Sequence, residues 1–172
     1  MKRRTLFNLL RDEAANAAAE MAMVAPLLLI LMMGCAELGN YFWNEHTLLK
    51  AVRDGARFAA RQSFANYPDC STVATTMRDN TRNVVMYGYL SDTSGYKLTP
   101  NISAINVTVG TSCATTAGGQ TMTGLYKDQP NGAQIVTVSA TVTYRPIFAM
   151  ALGFSGVSKS LYADSQAAVT GL

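Results

Sequence analysis

Two carboxylates bracket the most apolar stretch of the chain, Glu20 at its leading edge and Glu37 just past its far edge. A carboxylate at bilayer depth costs a few kcal/mol unless it meets a cation or reaches the interface. The chemistry open to these two residues is therefore ion pairing and anchoring. Glu20 is read as paired or solvated at one interface, Glu37 as lying near the other interface or against a protein partner. Cys70 and Cys113 form a second pair, each among Ser and Thr. Outside the cytoplasm they read as a disulfide closing a loop of about 44 residues, which would contribute roughly 4 kcal/mol by loop-closure entropy. The alternative is two unrelated buried thiols. Cys35 lies inside the apolar stretch, where a thiol packs as a small hydrophobe.

Catalytic groupings are missing from the sequence. His46 is the single histidine, and no His, Cys and carboxylate set has metal-ligand spacing. Gly118 and Gly119 lack the strand-then-helix setting and the lysine of a phosphate loop. Ser and Thr are abundant, but no base accompanies them in a nucleophilic pattern. Asp54, Asp69, Asp79, Asp92, Asp128 and Asp164 are scattered rather than paired. The sequence reads as a non-enzyme with no cofactor.

Those residues are positioned by an apolar helix and the domain that follows it. Residues 21–36 carry no charge, and as a helix they cover about 24 Å, short of a hydrocarbon core of about 30 Å. Extension to Tyr41, Phe42 and Trp43 gives about 35 Å and ends on an aromatic belt. Pro26 removes one helical hydrogen bond and predicts a loosening or kink. Lys2, Arg3, Arg4 and Arg11 precede the run, so the positive-inside rule puts the N-terminus in the cytoplasm. The expected division is a basic leader at 1–15, a transmembrane helix at 16–43 and an exported domain at 44–172. Of 172 residues, 49% are hydrophobic and 15% charged, and the net charge is +3. This composition excludes a disordered tail, and without a concentrated basic patch it argues against nucleic acid as a partner.

The exported part predicts an α+β fold. Residues 47–64 are helical in spacing, with Leu48, Leu49, Val52, Ala56, Ala59 and Ala60 on one face. Lys50, Arg53, Arg57 and Arg61 form a basic stripe, read as a solvated face or as a contact for anionic headgroups or an acidic helix. This helix continues the membrane helix as a stalk. Asn66, Tyr67, Pro68 and Asp69 signal a turn. Residues 71–90 predict a second helix capped by Ser71 or Thr72 and ended by Gly88. Alternation over 105–109, 136–144 and 161–169 predicts an antiparallel sheet with one Thr-rich face, covered on the other by the first helix. Residues 110–131 read as a long exposed loop, and 146–154 as an apolar link without a period that contacts the bilayer or a partner.

The run Ala17-Ala18-Ala19-Glu20-Met21-Ala22-Met23-Val24-Ala25-Pro26-Leu27-Leu28-Leu29, with Gly34-Cys35-Ala36-Glu37-Leu38-Gly39 after it, resembles the TadE-like minor pseudopilins of tight-adherence (Flp) pilus assembly. The Ala/Arg-rich segment 51–61 is similar to the helix usual in that family. The resemblance implies a pilin-like subunit of a bacterial inner membrane, single-pass, with its C-terminal domain periplasmic, either retained there or incorporated in a pilus. It implies membrane lipid, other pilin-like subunits and pilus assembly proteins as partners. It also implies a prepilin-type peptidase that cuts between Ala15 and Asn16, making Glu20 the fifth residue of the mature chain. Related leaders carry Gly before the cut and an aromatic after the glutamate, where this chain has Ala15 and Met21. In such assemblies the glutamate pairs with the new ammonium of a neighbouring subunit and sets helix register.

Two alternatives belong to other classes. Met32-Met33-Gly34-Cys35 approximates a lipobox, which would make Cys35 the lipidated first residue of a lipoprotein. The other is an uncleaved single-pass envelope adaptor or binding protein.

Overall fold

The computed structural model describes residues 13–90, 102–117, 120–148, 153, 156 and 158–171. The basic leader at 2–11, the turn expected at 91–95, Gly118 with Gly119, and the apolar link beyond Phe148, Gly153 apart, lie outside the described residues.

One helix, α1 (Glu13–Ala60, 48 residues), unites the apolar run with the basic-striped segment. At 1.5 Å per residue it is about 72 Å long. Pro26 sits inside it, and the helix is assigned on both sides without interruption. Its last carbonyls, which have no partner within a helix, are met from elsewhere. The Tyr67 hydroxyl donates to Ala59 O at 2.7 Å. The Thr170 amide donates to Ala60 O at 2.7 Å, and the Thr170 hydroxyl to the same oxygen at 3.1 Å.

A one-turn 3-10 helix (Phe64–Asn66) leads to α2 (Thr75–Tyr87), which ends at Gly88 with φ 76°. That left-handed residue is the stop expected from the sequence. The start differs from expectation: the position before α2 is Ala74, with no side-chain cap. Ser71 and Thr72 are engaged earlier, because the Asp69 carboxylate accepts from the amides of Ser71 at 2.7 Å and Thr72 at 2.6 Å. It also accepts from the Ser71 hydroxyl at 2.9 Å. These residues are spent on the turn, so the helix begins at Thr75, two or three residues later than a cap at Thr72 or Ser71 would put it.

Strand β1 (Ile102–Ala114) is followed by a short hairpin of β2 (Thr116–Ala117) and β3 (Gln120–Thr121), then by β4 (Ala133–Tyr144) and β5 (Lys159–Ala168). The main sheet has the order β1-β4-β5, antiparallel throughout. Residues 110–114, read from composition as loop, are strand paired with 133–137. Backbone pairing to a strongly patterned neighbour overrides the weak strand preference of Gly110, Ser112 and Ala114, while Thr111 favours a strand in its own right.

Helix α1 packs over β5 and β4, and α2 over β1 and against α1. Strand β4 alternates as expected: Val136, Val138, Ala140, Val142 and Tyr144 are buried, while Thr137, Ser139, Thr141 and Thr143 are not. The helix contributes Leu48, Ala51, Val52, Ala56, Ala59 and Ala60 to the same core, and α2 contributes Met77 and Val85. Full burial of each valine is worth roughly 1.5–3 kcal/mol. Gly55 explains how the two helices come so close. A Cβ there would lie 2.4 Å from Cγ2 of Val85 and 3.7 Å from Cγ1 of Val138, so α1, α2 and β4 meet at a point with room for hydrogen only.

Cys70 and Cys113 are joined in a disulfide, with Cα atoms 5.1 Å apart. Cys113 pairs in register with Gln134, whose side-chain amide donates to Tyr67 O at 2.7 Å. The bridge therefore ties β1 to the connection between the two helices at the end of the domain farthest from the apolar run. Burial pushes the Tyr67 hydroxyl far above its ordinary range.

Candidate functional site

From residue 16 to 36 the side chains of α1 are exposed, apart from the half-buried Ala25 and Met33. They include Met21, Met23, Val24, Leu27, Leu28, Leu29, Ile30, Leu31 and Met32, all large and apolar. A soluble protein rarely exposes a contiguous patch of this size. The span of 21 residues measures about 31 Å, close to the thickness of a hydrocarbon core, and α1 is the one described helix long and apolar enough to cross a membrane. Glu20 is exposed near the start of this surface, and no described residue forms an ion pair with it. Asn16 is exposed one turn before it, and Pro26 and Cys35 are exposed farther along.

At Glu37 the surroundings change. The Glu37 carboxylate accepts a hydrogen bond from the Tyr144 hydroxyl and another from the Phe148 amide at 2.8 Å. Asn40 donates to the Tyr144 hydroxyl at 2.9 Å, and the buried Asn44 donates to Asn40 O at 2.6 Å. The Tyr41 ring meets the Tyr144 ring edge-on at 5.5 Å. Burial first, then the bond to Glu37, push the Tyr144 hydroxyl up to about 12, so it stays protonated and donates. Glu37, Asn40, Tyr41, Asn44 and Leu48 follow helical spacing along one face. They clamp the end of β4 and the turn after it onto α1.

By sequence Glu37 is an interfacial or partner-facing acid; in the structure its partners lie in its own domain. Two signals pointed there. The polar positions 37, 40 and 44 extend the buried face that continues through 48, 52, 56 and 59. Tyr144 closes the buried row of β4 with a hydroxyl that needs a partner inside.

Beyond the clamp the outer face of α1 carries Lys50, Arg53 and Arg57, with Arg61 in the turn just after it, all exposed. Arg57 approaches Asp54 at 3.8 Å, an exposed contact of little worth. Among the described residues no group of three or more His, Cys, Asp and Glu is placed to hold a metal ion.

One candidate membrane helix near the N-terminus, continuous with the core helix of a small α+β domain, is the arrangement expected of the class of membrane-anchored proteins. Within that class, residues 16–57 match the family model described as TadE-like protein. The match covers the bare helix, the helical side of the Glu37 clamp and most of the buried helical face, and it agrees with the resemblance drawn from residues 16–61. No curated protein and no solved structure matches the chain.

Proposed function

We propose that this chain is a minor pilin-like structural subunit of a tight-adherence pilus, or of the inner-membrane platform that builds it. The TadE-like family implies involvement in tight-adherence pilus assembly, and it is a structural family rather than an enzymatic one. The observation that carries the reading is the bare apolar half of α1 with the exposed Glu20 at its start, which no described residue pairs. Such a helix has two uses, as an anchor in lipid and as a rod that packs on other rods.

In this reading residues 16–36 face lipid or neighbouring helices, and the exported domain begins at the Glu37 clamp. Residues 1–15 are the leader, removed between Ala15 and Asn16 by a prepilin-type peptidase in the cytoplasmic leaflet. Cleavage creates an ammonium on Asn16, four residues or about 6 Å from Glu20 along the axis. In a bundle the Glu20 of one subunit pairs with the ammonium of the next, avoiding the penalty of an unpaired charge at the membrane boundary. Apolar packing holds the bundle together, and the ion pair selects its register. Pro26 loosens the rod where it must adapt to neighbours. The domain lies in the periplasm, where the Cys70–Cys113 bridge persists.

The basic stripe fits a protein partner better than lipid. Lys50 lies about 21 Å along the axis beyond Ala36, more than two Debye lengths of about 8 Å. Against lipidation at Cys35 stands the helix itself, which runs through Cys35 and enters the Glu37 clamp two residues later with no polar tether.

The test is Glu20→Ala in the full chain. Leader cleavage, read by mass spectrometry of the mature N-terminus, is expected to persist while pilus assembly falls. Normal piliation would remove the ion-pair role, and an intact Met1 would remove the processing step.

A further inference from the structure

The clamp fixes more than the angle of the domain: it fixes its height. Strand β4 runs from Gln134, beside Tyr67 at the far end, to Tyr144, beside Asn40 at the near end. The residues that follow Tyr144 are thereby brought down to the level of Glu37, since the Phe148 amide is bonded to that carboxylate. Ile147, the neighbour of Phe148, is 46% exposed there. Arg145 is exposed two residues earlier, and Lys159, which pairs in register with Tyr144, is exposed on the adjacent strand. On the other side of α1, Leu38, Phe42 and Trp43 are exposed at similar height, Trp43 at 74%.

We infer that the base of the domain, with Ile147 at its tip and Arg145 and Lys159 around it, seats in the headgroup layer of the same bilayer that α1 crosses, with anionic lipid as its partner. This rests on the reading of residues 16–36 as the span. The occupant follows from continuity with that span, because Glu37 is the residue after its last one and headgroups occupy the next 5–7 Å or so. An apolar tip with flanking cations on the polar side is the arrangement that snorkelling side chains adopt at an interface, and each cation near an anionic surface is attracted to it. Phe42 and Trp43 complete the collar as interfacial aromatics. Among the described residues the nearby acids on α1 are Glu37, whose carboxylate is engaged in the clamp, and the half-buried Glu45, two residues beyond Trp43. Seating would hold the rod at a fixed depth and stop the domain from tipping, so that neighbouring rods meet in register.

The chain has a single tryptophan, Trp43, which makes depth measurable. The full chain is reconstituted in vesicles of phosphatidylcholine with phosphatidylglycerol, containing lipid brominated near the headgroup end of its acyl chains. Three forms are compared: the natural chain, Trp43→Phe with Ile147→Trp, and Trp43→Phe with Tyr162→Trp. Tyr162 pairs with Thr141, three residues or about 10 Å up the sheet from Tyr144, and is exposed. Tryptophan at 147 is expected to lose emission to the bromines at least as strongly as Trp43, to lose less in pure phosphatidylcholine, and tryptophan at 162 is expected to lose none. Quenching of Trp43 without quenching at 147 overturns the seating and leaves the span standing. Quenching of neither overturns the span and the seating together. Equal quenching at 147 and 162 overturns the defined seat.

Discussion

Helix α1 holds two environments in one element. Along residues 16–36 apolar side chains point in every direction and the rest of the domain covers almost none of them; along 44–60 every third or fourth side chain is buried and the opposite face carries Lys50, Arg53 and Arg57. The backbone is the same in both halves. What differs is the solvent each pattern implies: an all-round apolar helix needs an apolar medium, and a striped helix needs a core on one side and water on the other. The changeover takes place over a single turn, from Glu37 to Tyr41, where the domain first grips the helix.

The sharpest way to break the comparison is to place one charge in each half. Val52 is 0% exposed, so Val52→Asp buries an unpaired carboxylate and should lower domain stability by about 4 kcal/mol or more. A urea melt of the detergent-solubilised chain reads that loss, and membrane association should be unchanged. Leu29→Asp should do the reverse, weakening insertion by about 3 kcal/mol while the melt stays in place. Equal melts for the two variants would mean that the halves are not separate environments.

A subtler probe is Gly55, which marks the closest approach of the upper half to α2. Gly55→Leu pushes side-chain atoms into Val85 and should cost about 2 kcal/mol through overpacking, measured in the same melt. The corresponding change at Gly34, which has nothing within 4 Å, should leave the domain untouched. Stability unchanged in Gly55→Leu would show that the helices are not as close as described.

The smallest effect concerns pH. Hydrogen bonds, first from the Ser71 amide, hold the Asp69 carboxyl down at about 2. A carboxyl depressed on folding contributes stability that is present above its unfolded value and lost as pH falls toward the folded one. The turn before α2 should therefore loosen between about pH 4 and pH 2, with faster amide exchange at Ser71 and Thr72. Asp69→Asn should remove that acid dependence.

Much of this layout was legible in the sequence because it rests on local period. The uncharged run, the stripe that follows it and the alternation through Val136, Val138, Ala140 and Val142 each report one solvent boundary. What stayed hidden depends on distant partners. Glu37 looked like an interfacial acid because its partner Tyr144 is 107 residues away. Gly55 gives no sign in the sequence of a close approach, because Val85 is on another element. Residues 110–114 looked like loop because their strand character comes from pairing with β4. Ser71 and Thr72 looked like caps because a nearby acid, Asp69, claims the same donors for a turn. The candidate site followed the same division: Glu20 and the bare rod were visible as pattern, while the clamp that sets the domain's height was visible only as geometry.

The central claim is that the bare half of α1 sits in lipid, and the protein carries its own probe. Cys70 and Cys113 are bridged, which leaves Cys35 as the free thiol, exposed on that surface. In intact membranes Cys35 should resist a membrane-impermeant maleimide and react fully once the membranes are dissolved in denaturing detergent. Immediate labelling of Cys35 in intact membranes, or recovery of the chain from the soluble fraction, would contradict the account.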